Sequence, residues 1–503
     1  MSVDLSDEPC QNGSDDQALS SLVLEEAVAQ NQQLCEPLLS GQDNSSSAQA
    51  EEQPAPPLPS FQGLLFYRLL YFLDGLSASA WGRFGIIYYN RIKHLSAGQI
   101  GVLQGVAPVL RLVSQPVWGY IADYVQSRKT IFVICNTCCT MLILSLSHWK
   151  GFWPILCCVA AMSCFNSDGV LDAHTLDFLG EAYRGMYGSI RLWTAISWGL
   201  GAVVMGWITD QWGFHWNFVL FGTMMLLMLA AIIFGLPTRS KSEQQLYNQL
   251  NTSSNNQQEQ TEEEANITAH SSSNHPQLSE LRKAILRLPV CLWLAEVAII
   301  GAGMTIVDSF LFVYLQNELD TSTELCGYTV GVTVLLELPI FHFSEYLLSK
   351  LGHDVLFLLS MFAYSTRVIG YTFLTPSTAH WVLVLEFSHG ITFACMWISS
   401  IDYAAVVAPK EWSTTVQTLL STALSCVGGG LGPVFAGLVM DRFGPYVMFR
   451  SIGVVVAALF VVHAFVYFTL KQGHDRFLQQ FKAERLSVTE PQATAGHDNE
   501  TSS

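Results

Sequence analysis

The chain has 503 residues, of which 50% are hydrophobic and only 13% charged, with a formal net charge of -17. A soluble domain carries about 25% charged residues, so the composition excludes an ordinary soluble protein, and the acidic excess argues against nucleic acid as a partner. That excess is local. Residues 1–60 hold eleven acids and no lysine or arginine, the signature of a disordered acidic tail.

From residue 61 onward the chain is a succession of apolar runs, each long enough to cross ~30 Å of hydrocarbon as a helix. In the first half, residues 61–236, they fall near 62–90, 99–122, 130–148, 152–173, 188–209 and 216–236. Residues 237–284 are rich in Gln, Asn, Ser and Glu and read as a disordered linker. The second half, 285–470, repeats the pattern near 287–316, 324–347, 352–373, 379–404, 413–440 and 446–470. A polar C-terminal tail, 471–503, follows, in which Phe477, Leu478 and Phe481 could line a short amphipathic helix. The predicted fold is therefore an all-α membrane protein of twelve transmembrane helices in two six-helix bundles. With the N-terminus inside, fourteen lysines and arginines fall in inner loops and tail against four in outer loops. That imbalance places both termini in the cytoplasm. Plasma membrane and endomembrane are not distinguished.

The two halves echo one another. Gly199, Leu200, Gly201, Gly206, Asp210, Gly213 and Phe218 all recur 231 positions later, ending at Asp441, Gly444 and Phe449. Tyr88, Gly101, Leu110 and Tyr120 recur at an offset of 226 as Tyr314, Gly327, Leu336 and Tyr346, and Arg111 then lines up with Glu337. Opposite charges at one repeated position predict a meeting across a central cavity. Membrane proteins built from two such repeats commonly move a small solute through the seam between them.

Ionisable residues at membrane depth cost about 2.5–3.5 kcal/mol each on insertion scales and usually face one another or a wet cavity. Asp74, Arg83, Arg111, Asp168, Asp172, Arg191, Glu296, Asp308, Glu337, Arg367, Glu386, His389 and Asp402 all lie within or at the ends of predicted spans. The economical expectation is a shared polar path. Asp172 and Arg191 pair an acceptor with a fork of donors, which suits hydroxyl groups. Trp198, two helical turns beyond Arg191, offers an apolar plate. The bland alternative is a structural salt bridge beside a packing tryptophan. Cys135-Asn-Thr-Cys138 has no second pair to complete a metal site. No phosphate-binding Gly-rich loop or nucleophile–base set is present, so neither a cofactor, ATP drive nor an enzyme is expected.

Gly119-Tyr-Ile-Ala-Asp123, followed by Arg128 and Lys129, resembles the loop motif of the major facilitator superfamily. In that family these residues latch the cytoplasmic ends of the two halves, so Gly119, Asp123, Arg128 and Lys129 are the implied conformational latch. Tyr124 and Gln126 depart from the motif and weaken it. Tyr187-Gly188-Ser-Ile-Arg191-Leu-Trp193, continuing to Trp198, is similar to the oligosaccharide–proton symporter (lactose permease) branch and to its facilitator-like relatives of unknown substrate. The resemblance implies that Asp172, Arg191 and Trp198 bind solute. Glu337, Arg367 and His389 match the branch's acid on helix eight, arginine on helix nine and histidine on helix ten. The branch's proton-carrying glutamate three residues after the histidine is here Thr392, while Glu386 lies three residues before it.

The expectation is a secondary transporter for a sugar-like or nucleoside-like solute, coupled to protons. Asp172, Arg191, Trp198 and Glu337 are the binding candidates. Glu337, Arg367, Glu386 and His389 are the coupling candidates. The alternatives are an uncoupled facilitator and a transporter-shaped receptor or scaffold.

Overall fold

A computed structural model describes residues 59–125, 127–165, 168–237, 244, 282, 285–408 and 412–487. The predicted acidic tail and nearly all of the linker lie outside these residues, as do the side chains of Asp123 and Asp168. Every span is helical. The first half comprises α1 (Phe61–Trp81), α2 (Ala97–Val125), α3 (Arg128–Ser145), α4 (split into Phe152–Cys164 and Asp168–Leu179), α5 (Tyr187–Trp212) and α6 (His215–Gly235). The second half comprises α7 (Leu288–Glu318), α8 (Thr323–His342), α9 (Ser344–Tyr371), α10 (Val382–Phe387 and Met396–Val407), α11 (Ser413–Ser421 and Gly429–Phe443) and α12 (Pro445–Ser487). Among the described residues, ten helices are long and apolar enough by themselves to cross a membrane. α1 and the split α4 complete the twelve runs expected. α12 continues without a break through the predicted polar tail as far as Ser487.

Repeated residues meet in space inside each half. Tyr88 packs edge-on against Phe218 at 5.1 Å between ring centroids. Their second-half equivalents, Tyr314 and Phe449, pack the same way at 5.4 Å. The aromatic clusters they anchor fill the core of each bundle at the end farthest from Phe61, where α1 begins.

The halves join along two matched seams, α2 with α11 and α5 with α8. Both depend on glycine. A Cβ on Gly206 would approach the Thr323 carbonyl oxygen to 2.7 Å, and one on Gly331 would meet Val203 Cγ2 at 2.8 Å. On the other seam, a Cβ on Gly101 would collide with the Pro433 carbonyl, and one on Gly437 with that of Ala97. Small residues let the backbones touch, as membrane helix pairs require.

Each seam ends in a carboxylate that caps a helix of the opposite half. Asp441, at the end of α11, accepts from the Ala97 N–H (2.9 Å), the Gly98 N–H (2.8 Å) and the Ser96 hydroxyl (2.8 Å). Asp210, at the end of α5, accepts from the Thr323 N–H (3.0 Å) and the Glu324 N–H (2.7 Å). The first turn of a helix has orphan N–H groups and a positive dipole end, so a carboxylate there is stabilising. Beside these caps, Arg91 donates to the Gln316 carbonyl (2.8 Å) and Asn317 to Asn90 (3.0 Å). These contacts close the end opposite Phe61.

The Phe61 end is open. From Arg111 to Tyr120 only Ser114 and Trp118 fall below exposed, and these two bond to the Ser163 and Cys164 carbonyls of α4. Tyr120 is 72% exposed and Tyr124 79%.

Replacing both Asp210 and Asp441 with asparagine removes two charged caps worth about 0.5–2 kcal/mol each. The expected outcome is a shift of at least several-fold toward a form open at the far end. Spin labels at Tyr120 and Tyr346 should then report shorter distances, and an unchanged distribution would show that the caps do not hold the gate.

Candidate functional site

Between the halves lies a cavity of about 1000 Å³ whose wall includes Arg83, Arg111, Trp198, Asp308, Glu337 and His389. Local sequence explains how Arg83 reaches it. α1 stops at Trp81, and a Cβ on Gly82 would sit 2.7 Å from the Ala78 carbonyl oxygen, so only glycine fits the break. Arg83 leaves the break pointing at α7 and ion-pairs with Asp308 across the seam between halves. Its guanidinium also lies 5.7 Å from the centre of the Trp198 ring, a cation–π distance. Arg83 is only 10% exposed in its side chain. One of its nitrogens, Nη1, is buried without a hydrogen-bond partner among the described residues.

Opposite Arg83, α8 and α10 press together at Gly390, where a Cβ would lie 2.5 Å from the Glu337 backbone nitrogen. That contact sets Glu337 and His389 side by side in the cavity wall. Arg367 Nη1 donates to His389 Nδ1 at 2.7 Å. Guanidinium can only donate, so Nδ1 is unprotonated and the neutral ring carries its proton on Nε2.

Behind His389 is a closed cluster. Arg367 and Glu386 have no side-chain exposure and stand 3.4 Å apart, and the Tyr371 hydroxyl donates to the same Glu386 oxygen. Arg367 Nε and Nη2 and Glu386 Oε2 are buried without partners among the described residues. Thr392 is buried too, and its hydroxyl donates to the Ser388 carbonyl at 3.2 Å.

Asp172 and Arg191 do pair, at 3.1 Å, but not in the cavity wall. The Tyr71 hydroxyl donates to Asp172 at 2.7 Å, and Arg191 donates to the Tyr187 hydroxyl at 2.8 Å. Arg191 is 60% exposed in its side chain and lies one turn into α5, toward the open end. The predicted binding set is thus divided: Trp198 and Glu337 line the cavity, while the Asp172–Arg191 pair stands nearer its mouth. Trp198 serves Arg83 rather than Arg191.

Other expectations separate in the same way. Arg111 and Glu337 share the cavity without forming an ion pair, and the cross-dyad meeting is Arg83 with Asp308 instead. Of the predicted latch, Gly119 borders open space, Arg128 starts α3, and Lys129 donates to the Ile233 and Leu236 carbonyls at the end of α6. Glu296 and Asp402 face a separate cluster with His463 and His353. The shared path therefore collects Arg83, Arg111, Asp308, Glu337 and His389, while lateral pairing inside one half satisfies the remaining described pairs. The offset of 225 between Arg83 and Asp308, one short of the repeat, is the sequence signal for that pair. The hydroxyl partners Tyr71, Tyr187 and Tyr371 carry no such mark.

Two six-helix halves related by a repeat, sealed at one end over a charged cavity, define a transporter of the major facilitator type. The chain belongs to the MFS_1-like family, whose model matches residues 68–451. It is 21% identical over 396 residues to the uncharacterized transporter YwbF of Bacillus subtilis (strain 168), covering 77% of this chain and 89% of that protein. It is 22% identical over 405 residues to the maltose permease of Geobacillus stearothermophilus, covering 78% and 92%. Among solved structures it resembles the nucleoside transporter NupG, with TM-score 0.64, 14% identity, and coverage of 81% of this chain and 98% of that one. A bacterial homolog of the lysosomal transporter Spinster, solved in an inward-facing, unoccupied conformation, gives TM-score 0.52 at 15% identity, covering 84% and 97%. These relatives are transporters, not enzymes.

Replacing Glu386 with glutamine leaves Arg367 as a buried, uncompensated cation and should cost about 3–5 kcal/mol. The apparent Tm of the purified protein should fall sharply, while a paired Arg367→Met, Glu386→Leu variant should recover most of the loss.

Proposed function

We propose that this chain carries a polar, hydroxyl-rich solute of the sugar or nucleoside class by alternating access, driven by protons, with both termini in the cytoplasm. The observation that carries the reading is the Arg83 environment. A buried guanidinium keeps one N–H unused beside an indole face, with Asp308, Glu337 and His389 around the same space. An unmet donor costs free energy until an acceptor arrives. A ring hydroxyl supplies that acceptor and can donate in turn to Asp308 or Glu337, while its apolar face rests on Trp198. The likeness to a maltose permease and to a nucleoside transporter supports the same substrate class.

Of the coupling candidates, Glu337 is the proton carrier in this reading because it meets the cavity and has no ion partner among the described residues. Arg367 fixes the orientation of His389, and Glu386 holds Arg367. Asp172 and Arg191, at the mouth, act on solute entry and release. Gly119, Asp123, Arg128 and Lys129 supply the latch when the Phe61 end closes. With the termini in the cytoplasm, the open end of the cavity is the cytoplasmic one.

Proteoliposomes with an imposed pH gradient, screened against labelled sugars and nucleosides, test the proposal. Uptake should follow the gradient and collapse with an ionophore; uptake indifferent to both would leave an uncoupled facilitator, and no saturable uptake of any member of either class would sink the substrate assignment. Glu337→Gln should lose gradient-driven accumulation yet keep solute exchange. Trp198→Ala should raise KM about tenfold, equivalent to ~1.4 kcal/mol, with a smaller effect for Arg191→Ala.

A further inference from the structure

Arg111 and Glu337 hold equivalent places in the two halves. Each lies 14 residues into its span, Arg111 counted from Ala97 and Glu337 from Thr323. At 1.5 Å per residue that is a depth of about 21 Å, well inside the bilayer. Charges at such depth are costly and are ordinarily met by a partner or a wet cavity. Both side chains line the central cavity, and neither forms an ion pair with another described residue. Two opposite charges at one level thus face the same space without meeting.

The wall around Arg111 is polar. Gln104, Arg111 and Gln115 recur at helical spacing on one face of α2, and all three line the cavity. None of these side chains shares a hydrogen bond with another described residue. Ser421 and Ser425, one turn apart on α11, add hydroxyls to the same wall. Ser425 belongs to the wide-turned stretch Thr422–Gly428, a backbone form frequent at functional sites. The Cys426 thiol holds that stretch to the Pro108 carbonyl at 3.6 Å, one turn before Arg111. Charge balance then selects the guest. The charged lining residues are Arg83, Arg111, Asp308 and Glu337, and Arg83 is matched by Asp308. His389 adds no charge, because its Nδ1 accepts from Arg367. While Glu337 is ionised the space is balanced. Once Glu337 takes up a proton, Arg111 is left as an unmatched cation, which one negative charge restores and two would overshoot.

We infer that the solute is an acidic sugar of the hexuronate kind, a hydroxyl-rich ring bearing a single carboxylate, and that Arg111 receives the carboxylate. The guanidinium fork matches two carboxylate oxygens, and Gln104 and Gln115 offer further donors along the same face. The ring keeps its place beside Arg83 and Trp198. The anion is favoured once Glu337 is protonated, so solute and proton enter together and the loaded cavity bears no net charge. A phosphate ester carries about 1.5–2 negative charges near neutral pH and would overshoot the balance. A neutral sugar would leave Arg111 unmet. The inference deepens the proposed function and rests on it, both for the hydroxyl-rich solute and for Glu337 as proton carrier.

The test measures solute exchange by the full-length protein in proteoliposomes, with radiolabelled glucuronate and galacturonate, their neutral amides, and glucose 6-phosphate as competitor. Each acid should half-saturate exchange at a concentration at least tenfold below that of its amide, and the phosphate ester should compete less well than either acid. Arg111→Gln should erase the preference for acid over amide, and Arg111→Lys should retain most of it. Glu337→Gln, fixed in the uncharged form, should keep the preference, and it decides the matter with the unaltered protein if the Arg111 variants do not fold. Equal half-saturation by acid and amide, an undiminished preference in Arg111→Gln, a lost preference in Glu337→Gln, or tighter competition from the phosphate ester would each overturn the inference. If glucose, uridine or the amides exchange and the acids do not, the carboxylate assignment alone falls. If none of these compounds exchanges, the hydroxyl-rich solute falls and the inference falls with it.

Discussion

Two carboxylates, each planted on the first turn of a helix belonging to the other half, hold this molecule in its present form. Asp441 receives three donors from the start of α2, and Asp210 receives two from the start of α8. The helices they cap also carry their own serine caps, Ser96 and Ser322, which bond to the Gln99 and Leu325 N–H groups. The foreign carboxylate therefore takes donors that the local cap leaves over. Hydrogen bonds to a charged group are worth about 1.5–3 kcal/mol each, and water would replace much of that if the seam opened. The net preference is modest. A gate that must open in every cycle needs that property, because a ligand can shift a conformational equilibrium only by its differential affinity for the two forms.

Glycine makes the caps possible. Asp210 reaches Thr323 only because Gly206, one turn earlier, lets α5 lie on the α8 backbone, and Gly437 does the same for Asp441 beside Ala97. The Arg83–Asp308 pair then sits between this sealed end and the open cavity, touching both halves. A solute that competes for either partner would loosen a bond between halves while it binds. Under the proposed function, solute recognition and gate strength would then share one ion pair, the kind of differential contact a coupled cycle requires.

Much of the architecture is legible as repetition. The 231-residue offset singles out Gly206, Asp210 and Phe218 from the amino-acid order alone, and the 226-residue offset does the same for Tyr88 and Gly101. In space those residues are the seam glycines, the caps and the core aromatics. Their roles are not legible, because capping and close approach depend on the partner helix and leave no pattern on their own. The site is legible as a set of costly residue types and not as a grouping. Arg191 and Trp198 stand two helical turns apart and read as one binding pair, yet the Trp198 ring turns to Arg83 of the α1 end. Arg111 and Glu337 align in the repeat, yet alignment fixes only position along a helix and says nothing of how far the side chains reach. His353 and His463 carry no signal in the sequence, because a lone histidine in an apolar run is usually a packing residue. Only the fold brings them between Glu296, Asp354 and Asp402.

The second half also separates two uses of buried charge. Glu386 and Arg367 are closed off, tied to Tyr371 and to each other. Such a pair is costly to break and adds little stability when whole, so its value lies in geometry. It fixes the face that His389 turns to the cavity. Glu337, one helix away and pressed close by Gly390, meets the cavity directly and is the proton carrier of the proposed function. In the proposed cycle the rigid pair and the exchangeable acid have to be neighbours and have to be distinct: the first keeps a donor aimed while the second changes charge.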